Sequence, residues 1–170
     1  MRKLLFQSLI KPILTEARPA PAQDALRQLA EAVEGAARRR LGRSLAIRAV
    51  DSGSCNDAEL EIHALNNAFY DIERFGIRFV ASPRHADVLL VTGPVTRNML
   101  PALLKTYRAA PEPRLVAAMG TCAISGGPFS GTYASGNGVA EALPVDIFIP
   151  GCPPHPRTVV LALLEALGRL

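Results

Sequence analysis

"DVLLVTG" at residues 87–93 and "RLVAAMG" at residues 114–120 decide the fold. A strand with one wet face alternates apolar and polar residues, but residues 88–91 and 115–119 are apolar at every position. Such runs are expected of strands in a parallel sheet covered by helices on both sides. Working outward, "LAIRAV" (45–50), "IRFV" (77–80) and "DIFIPG" (146–151) are further short apolar runs. They alternate with longer segments of helical spacing at 57–73, at 95–109 and from about Arg157 onward. Strand and helix in turn predict a doubly wound α/β domain.

Ahead of this alternation, "EARPAPAQ" at 16–23 reads as a linker. Asp24 is placed to cap a helix in which Leu26, Leu29, Val33 and Ala37 recur at helical spacing until Gly42. The expected organisation is an N-terminal helical arm over residues 1–44 and an α/β domain over 45–170.

With 170 residues, 49% of them hydrophobic and 20% charged, the chain is long enough to bury one core without staples. The net charge of +4 is largely local, in Arg38, Arg39, Arg40 and Arg43, and no tryptophan and few other aromatics interleave with it. That argues against nucleic-acid binding and for a solvated helix end or a contact with an acidic partner. The opening "MRKLLFQSLIKPIL" is broken by Gln7, Ser8, Lys11 and Pro12 before it reaches signal-peptide length, and no later run approaches a membrane span. Leu4, Leu5, Leu9 and Ile13 share one helical face, suited to a membrane surface or another subunit.

The three cysteines, an odd number, are too scattered for a secreted disulfide scaffold, and they point to a reducing compartment. Each follows a predicted strand: Cys55 after "LAIRAVDSGS", Cys122 after "RLVAAMGT", Cys152 after "DIFIPG". In doubly wound sheets, ligands bind outside the carboxyl ends of the strands, so the three thiols are expected to meet at one edge. Glycine and proline surround each of them: Gly53; Gly120, Gly126 and Gly127; Gly151, Pro153 and Pro154. Fixed loops of this kind offer N–H groups to cluster sulfides and hold thiolates in place, which favours an iron–sulfur cluster. Zinc is the weaker reading, since there is no CxxC pair and His63, His85 and His155 have no tight spacing to the cysteines. A Cys–His nucleophile is weaker still, because nothing selects one cysteine over the others. "SGNG" at 135–138 lacks the full phosphate-loop pattern and reads as a turn.

The motifs "GSCNDAELEI" (53–62), "ERFGIRFVASPRHADVLLVTGPVTRNM" (73–99), "MGTCAISGG" (119–127) and "PVDIFIPGCPP" (144–154) cover most of the chain from Asp51 onward. Taken together, they resemble the small cluster-carrying subunit shared by respiratory complex I, where it is the 20 kDa-type subunit, and the energy-converting membrane-bound NiFe hydrogenases and formate hydrogenlyases. "SCN" and "TGPVT" are closer to the hydrogenase branch. The resemblance implies a flavodoxin-like domain holding a [4Fe–4S] cluster against a large catalytic subunit. Cys55, Cys122 and Cys152 would be metal ligands, and Arg84 in "SPRHAD" a cation near the cluster.

One position departs from that pattern. Hydrogenase-branch members have a second cysteine where this chain has Ala58. Three outcomes follow: an oxygen ligand, either Asp57 or a water or hydroxide, completes a [4Fe–4S] cluster; a [3Fe–4S] cluster needs only the three thiolates; or the site is empty and the subunit is a scaffold. Asp57 is the first candidate ligand, with capping of the helix beside it as its alternative role, and Glu59 and Glu61 come next. The resemblance further implies an electron-transfer subunit that is not catalytic alone. Its place would be peripheral, on the cytoplasmic face of the cytoplasmic membrane. Its partners would be a large hydrogenase-type catalytic subunit, a ferredoxin-like iron–sulfur subunit and membrane-arm subunits. A cluster-free structural role and quinone-reactive chemistry are the alternatives.

Overall fold

The computed structural model describes residues 23–169. The apolar face expected over residues 1–14 lies outside the described residues. The elements, in chain order, are α1 (Gln23–Leu41), β1 (Leu45–Asp51), α2 (Asp57–Leu65), β2 (Ile77–Phe79), β3 (Val88–Thr92), α3 (Leu100–Ala109), β4 (Leu115–Met119), α4 (Thr121–Ser125), β5 (Ile147–Ile149) and α5 (Pro156–Arg169). Short 3₁₀ turns at Ile72–Phe75, Pro83–His85, Gly127–Phe129 and Val139–Glu141 fill the connections.

All pairings in the five-stranded sheet are parallel, and the strand order is β2-β1-β3-β4-β5. This is the flavodoxin-like order, whose direction of winding reverses between β1 and β3. Every residue of β3 and of β4 is buried, as their two-sided apolar sequence requires. One sheet face, with Leu45, Ile47, Val88, Leu90, Ala117 and Ile149, packs against α1, α2 and α5. The other, with Leu89, Val91, Val116 and Ala118, packs against α3 and α4. Each large apolar side chain sealed between these layers contributes about 1.5–3 kcal/mol relative to exposure. The segment read as an arm contributes to the first layer, since Val33 and Ala37 of α1 are fully buried there and α1 lies against α5.

Two aspartates fix the register at the amino end of the sheet. Asp87 Oδ2 accepts from the Ala46 N–H of the neighbouring strand at 2.9 Å and from Arg43 Nη1 at 2.7 Å, while Oδ1 accepts from Arg43 Nη2 at 2.5 Å. Asp146 Oδ2 accepts from Val116 N–H at 2.8 Å. The rest of the basic run is a solvated helix end: Arg38, Arg39 and Arg40 are exposed in the last turn of α1, where cations suit the helix dipole.

Two expected helices are shorter in the structure. The helical pattern at 57–73 ends at Leu65, because Asn67 turns the chain: its Oδ1 accepts from the N–H groups of Phe69 at 2.8 Å and Tyr70 at 3.0 Å. The pattern at 95–109 becomes helix only at Leu100, with Pro101 in its first turn. Before it, Val95 takes a φ of 60°, and Thr96 forms a bridge to Ser135 that holds the "SGNG" loop against the end of β3.

Candidate metal centre at the carboxyl edge of the sheet

Each cysteine follows the carboxyl end of a different strand: Cys55 follows β1, Cys122 opens α4 after β4, and Cys152 follows β5. The loop of Cys55 leaves the sheet at the β1/β3 reversal. Asp51 Oδ1 accepts from the N–H groups of Gly53 and Ser54, both at 2.8 Å, and forms the turn that lifts Cys55 off the strand. Ser54 Oγ accepts from Asn56 N–H at 3.1 Å and donates to Glu59 Oε2 at 2.7 Å, and the Thr92 hydroxyl donates to Glu59 Oε1. Glu59 thus ties the Cys55 loop to the last residue of β3, the buried Thr92.

The backbone after β3 presses directly on this loop. Gly93 has φ +79°, and a Cβ there would lie 2.5 Å from Ser54 N, so only glycine fits. The loops of Cys122 and Cys152 are joined in turn, with Gly120 N–H donating to Ile149 O at 2.9 Å and Thr121 N–H to Gly151 O at 2.8 Å.

These loops bring the thiols together around one carboxylate. Cys152 Sγ donates to Asp57 Oδ2 at 3.3 Å. Burial pushes the Cys122 thiol up, and the nearby Cys55, Cys152 and Asp57 push it further in the same direction. The Cys152 thiol is raised chiefly by its hydrogen bond to Asp57. Burial alone would raise Asp57, but hydrogen bonds from Cys55, the Ala58 N–H and Cys152 outweigh it and hold the carboxyl below its ordinary range. Cys55 and Cys152 are exposed and Cys122 is buried beneath them, so the group faces outward.

The other candidates lie elsewhere. Glu59 has both oxygens engaged by Ser54 and Thr92. Glu61 is half-buried on α2, and its side chain has no hydrogen bond or ion pair among the described residues. Arg84 is exposed on the 3₁₀ turn after β2, where its backbone N–H meets Ser82 Oγ at 3.4 Å. Ala58 is buried in the core cluster with Ile62 and Leu65, and is 2% exposed.

Three thiols and a carboxylate at a sheet edge form a donor set suited to an iron–sulfur cluster, whose irons each take a separate protein ligand. Space beside the buried thiol is kept by Gly127, where a Cβ would come 3.0 Å from Cys122 Sγ. Among the described residues, no three His, Cys, Asp or Glu side chains surround a single-ion position.

Residues 55–166 match the family described as "NADH ubiquinone oxidoreductase, 20 Kd subunit". The chain belongs to this family. Formate hydrogenlyase subunit 7 of Escherichia coli is 44% identical over 132 residues, which are 78% of this chain and 52% of that protein. A probable membrane-bound hydrogenase subunit of Pyrococcus furiosus is 43% identical over 130 residues, covering 76% of this chain and 78% of the relative. The chain therefore spans about half the length of the first and most of the second. Among solved structures, the membrane-bound sulfane sulfur reductase, an archaeal respiratory membrane complex, contains a similar chain: TM-score 0.66, 35% identity, covering 81% of this chain and 75% of that one. Members of the 20 kDa-subunit family with these names are subunits of oxidoreductase complexes, and the flavodoxin-like fold here agrees with that membership. No described helix is long and apolar enough to cross a membrane.

The tie from Glu59 to Thr92 and Ser54 and the close approach at Gly93 were not expected from the sequence. A glycine directly after a strand was the signal for Gly93. Nothing local marks Glu59, whose partners are brought to it by the fold.

Proposed function

We propose that the chain is the electron-transfer iron–sulfur subunit of a membrane-associated oxidoreductase complex of the hydrogenase and complex I type. The observation that carries this reading is the convergence of Cys55, Cys122 and Cys152 on one outward-facing site. These three thiolates would hold the cluster. When bound, such a cluster takes up and gives back one electron at a time.

The chain's own residues hold and orient that centre. The Asp51 turn and the Glu59 tie set Cys55, and the paired loops after β4 and β5 set Cys122 and Cys152 as a unit. Second-layer hydrogen bonds of this kind orient ligands and tune the metal. Arg84, exposed and without an ion-pair partner among the described residues, is proposed as a cation that raises the cluster's potential. The exposed thiols imply that a partner covers this edge. In this reading the partner is a large catalytic subunit, a ferredoxin-like subunit exchanges electrons with the site, and the complex lies peripherally on the cytoplasmic face. Residues 45–170 would be the cluster domain, with α1 of the 1–44 segment packed on it, and the outward surface of that segment would dock on membrane-arm subunits or the large subunit.

Iron and acid-labile sulfide measured on the full chain, isolated without oxygen, test the reading. Stoichiometric amounts of both support it, and background levels of both overturn it. The buried Ala58, at a position where the resemblance places a ligand, favours one second reading, a cluster-free structural subunit. That reading predicts the background result.

A further inference from the structure

We infer that Asp57 supplies the fourth ligand of the centre, through Oδ2, in place of the thiolate that Ala58 cannot provide. The inference rests on the proposed cluster reading and concerns its remaining corner. Four features of the structure converge on it.

Ala58 is 2% exposed, belongs to the core cluster with Ile62 and Leu65, and carries no donor atom on its side chain. Asp57, one position earlier on the helix, is turned the other way, toward the thiols, because adjacent helical residues do not share a face. Its carboxylate is also divided in function. Oδ1 accepts from the Ala58 N–H at 2.7 Å and is anchored to the helix start, while Oδ2 is presented to Cys152 Sγ at 3.3 Å and to the thiol group. One oxygen held by the backbone and one turned to the thiols is the arrangement of a monodentate ligand. Lastly, the competing carboxylates are less suited: Glu59 is held by Ser54 and Thr92, and Glu61, half-buried on α2, has no hydrogen bond to a thiol among the described residues.

The exchange of ligands onto an assembled cluster balances without any redox step. On loading, the three thiols release their protons to solvent, and Asp57 Oδ2 gives up the Cys152 proton it now accepts and donates a lone pair to the fourth iron. Carboxylate is harder and less electron-rich toward iron than thiolate, so the iron it holds is chemically distinct from the other three.

The test uses the full chain reconstituted without oxygen from ferric iron, sulfide and excess dithiothreitol, which supplies the electrons the mixed-valence cluster needs, with iron content, Mössbauer and EPR spectra as readouts. Wild type is expected to carry a [4Fe–4S] cluster with one distinct iron and to keep its iron on mild oxidation with ferricyanide. Asp57→Ala is expected to lose about one iron in four under that oxidation and to gain the paramagnetic signal of an oxidised [3Fe–4S] cluster. Asp57→Cys should retain all the iron but lose the distinct site. If Asp57→Ala does not fold, Asp57→Asn, which keeps the size and weakens the donor, carries the same expectation. A three-iron wild-type cluster, or variant spectra and iron retention equal to wild type, overturns the assignment of Asp57. Background iron in the wild type instead overturns the cluster reading itself, so the two failures are distinct.

Discussion

Removing the Glu59 carboxylate should loosen the Cys55 loop by a calculable amount. Its Oε2 accepts from Ser54 Oγ at 2.7 Å and its Oε1 from the Thr92 hydroxyl. Hydrogen bonds to charged groups contribute about 1.5–3 kcal/mol each, and the half-buried position of Glu59 favours the lower end of that range. Glu59→Ala cuts both bonds. It leaves the Thr92 hydroxyl, on a residue 1% exposed, with only a 3.4 Å contact to Val50 O. The expected loss is about 3 kcal/mol. Glu59→Gln keeps the shape: its amide oxygen accepts from one hydroxyl and its NH2 donates to the other, so the loss should be about 1 kcal/mol. For a chain of this size each kcal/mol moves Tm by about 2–4 °C, which gives falls of about 6–12 °C for alanine and 2–4 °C for glutamine. Thermal unfolding of the full chain, followed by circular dichroism with the thiols kept reduced, reads both. The reasoning fails if Glu59→Ala melts with wild type, or if glutamine is as damaging as alanine.

Gly93→Ala should cost about 3 kcal/mol, because it combines left-handed strain with a Cβ 2.5 Å from Ser54 N; Gly131→Ala, with φ +74° and no atom within 4 Å, should cost only about 1 kcal/mol. Urea unfolding of the two variants separates strain from overlap, and equal midpoints would show that the loops are not in contact there. Arg43→Ala leaves the 6%-exposed Asp87 with the Ala46 N–H as its remaining partner and should cost about 2 kcal/mol, between the values for surface and buried pairs since Arg43 is itself half exposed. Arg43→Lys, one donor in place of a fork, should recover part of that loss in the same measurement.

The sheet was legible because its strands are short apolar runs with no wet face, and strands of that kind can sit only in a covered parallel sheet. The strand ends then placed Cys55, Cys122 and Cys152 at one edge before any contact between them was known. What the sequence did not show depends on residues far apart in the chain. Asp87 pairs with Arg43, and Glu59 with Thr92, across separations that only the β1/β3 pairing closes. The helix ends were misplaced for a related reason. Helical spacing continues past Leu65 and begins before Leu100, but Asn67 and the Val95–Thr96 segment spend their hydrogen bonds on turns and a bridge instead. The direction of Ala58 and Asp57 was equally hidden, since both lie in the first turn of α2 and only packing decides which faces the core.

The packing of α1 against α5 has a consequence for biosynthesis. The same sheet face is covered by an early helix carrying Val33 and by the last helix carrying Leu163. A ribosome adding about 10 residues per second spends on the order of 10 s between those two positions. From its own synthesis until α5 is made, each of Leu45, Ile47, Val88 and Leu90 lacks part of its cover. The nascent chain therefore presents a broad apolar surface until α5 has been made, and its protection in the cell falls to whatever meets it at the exit tunnel.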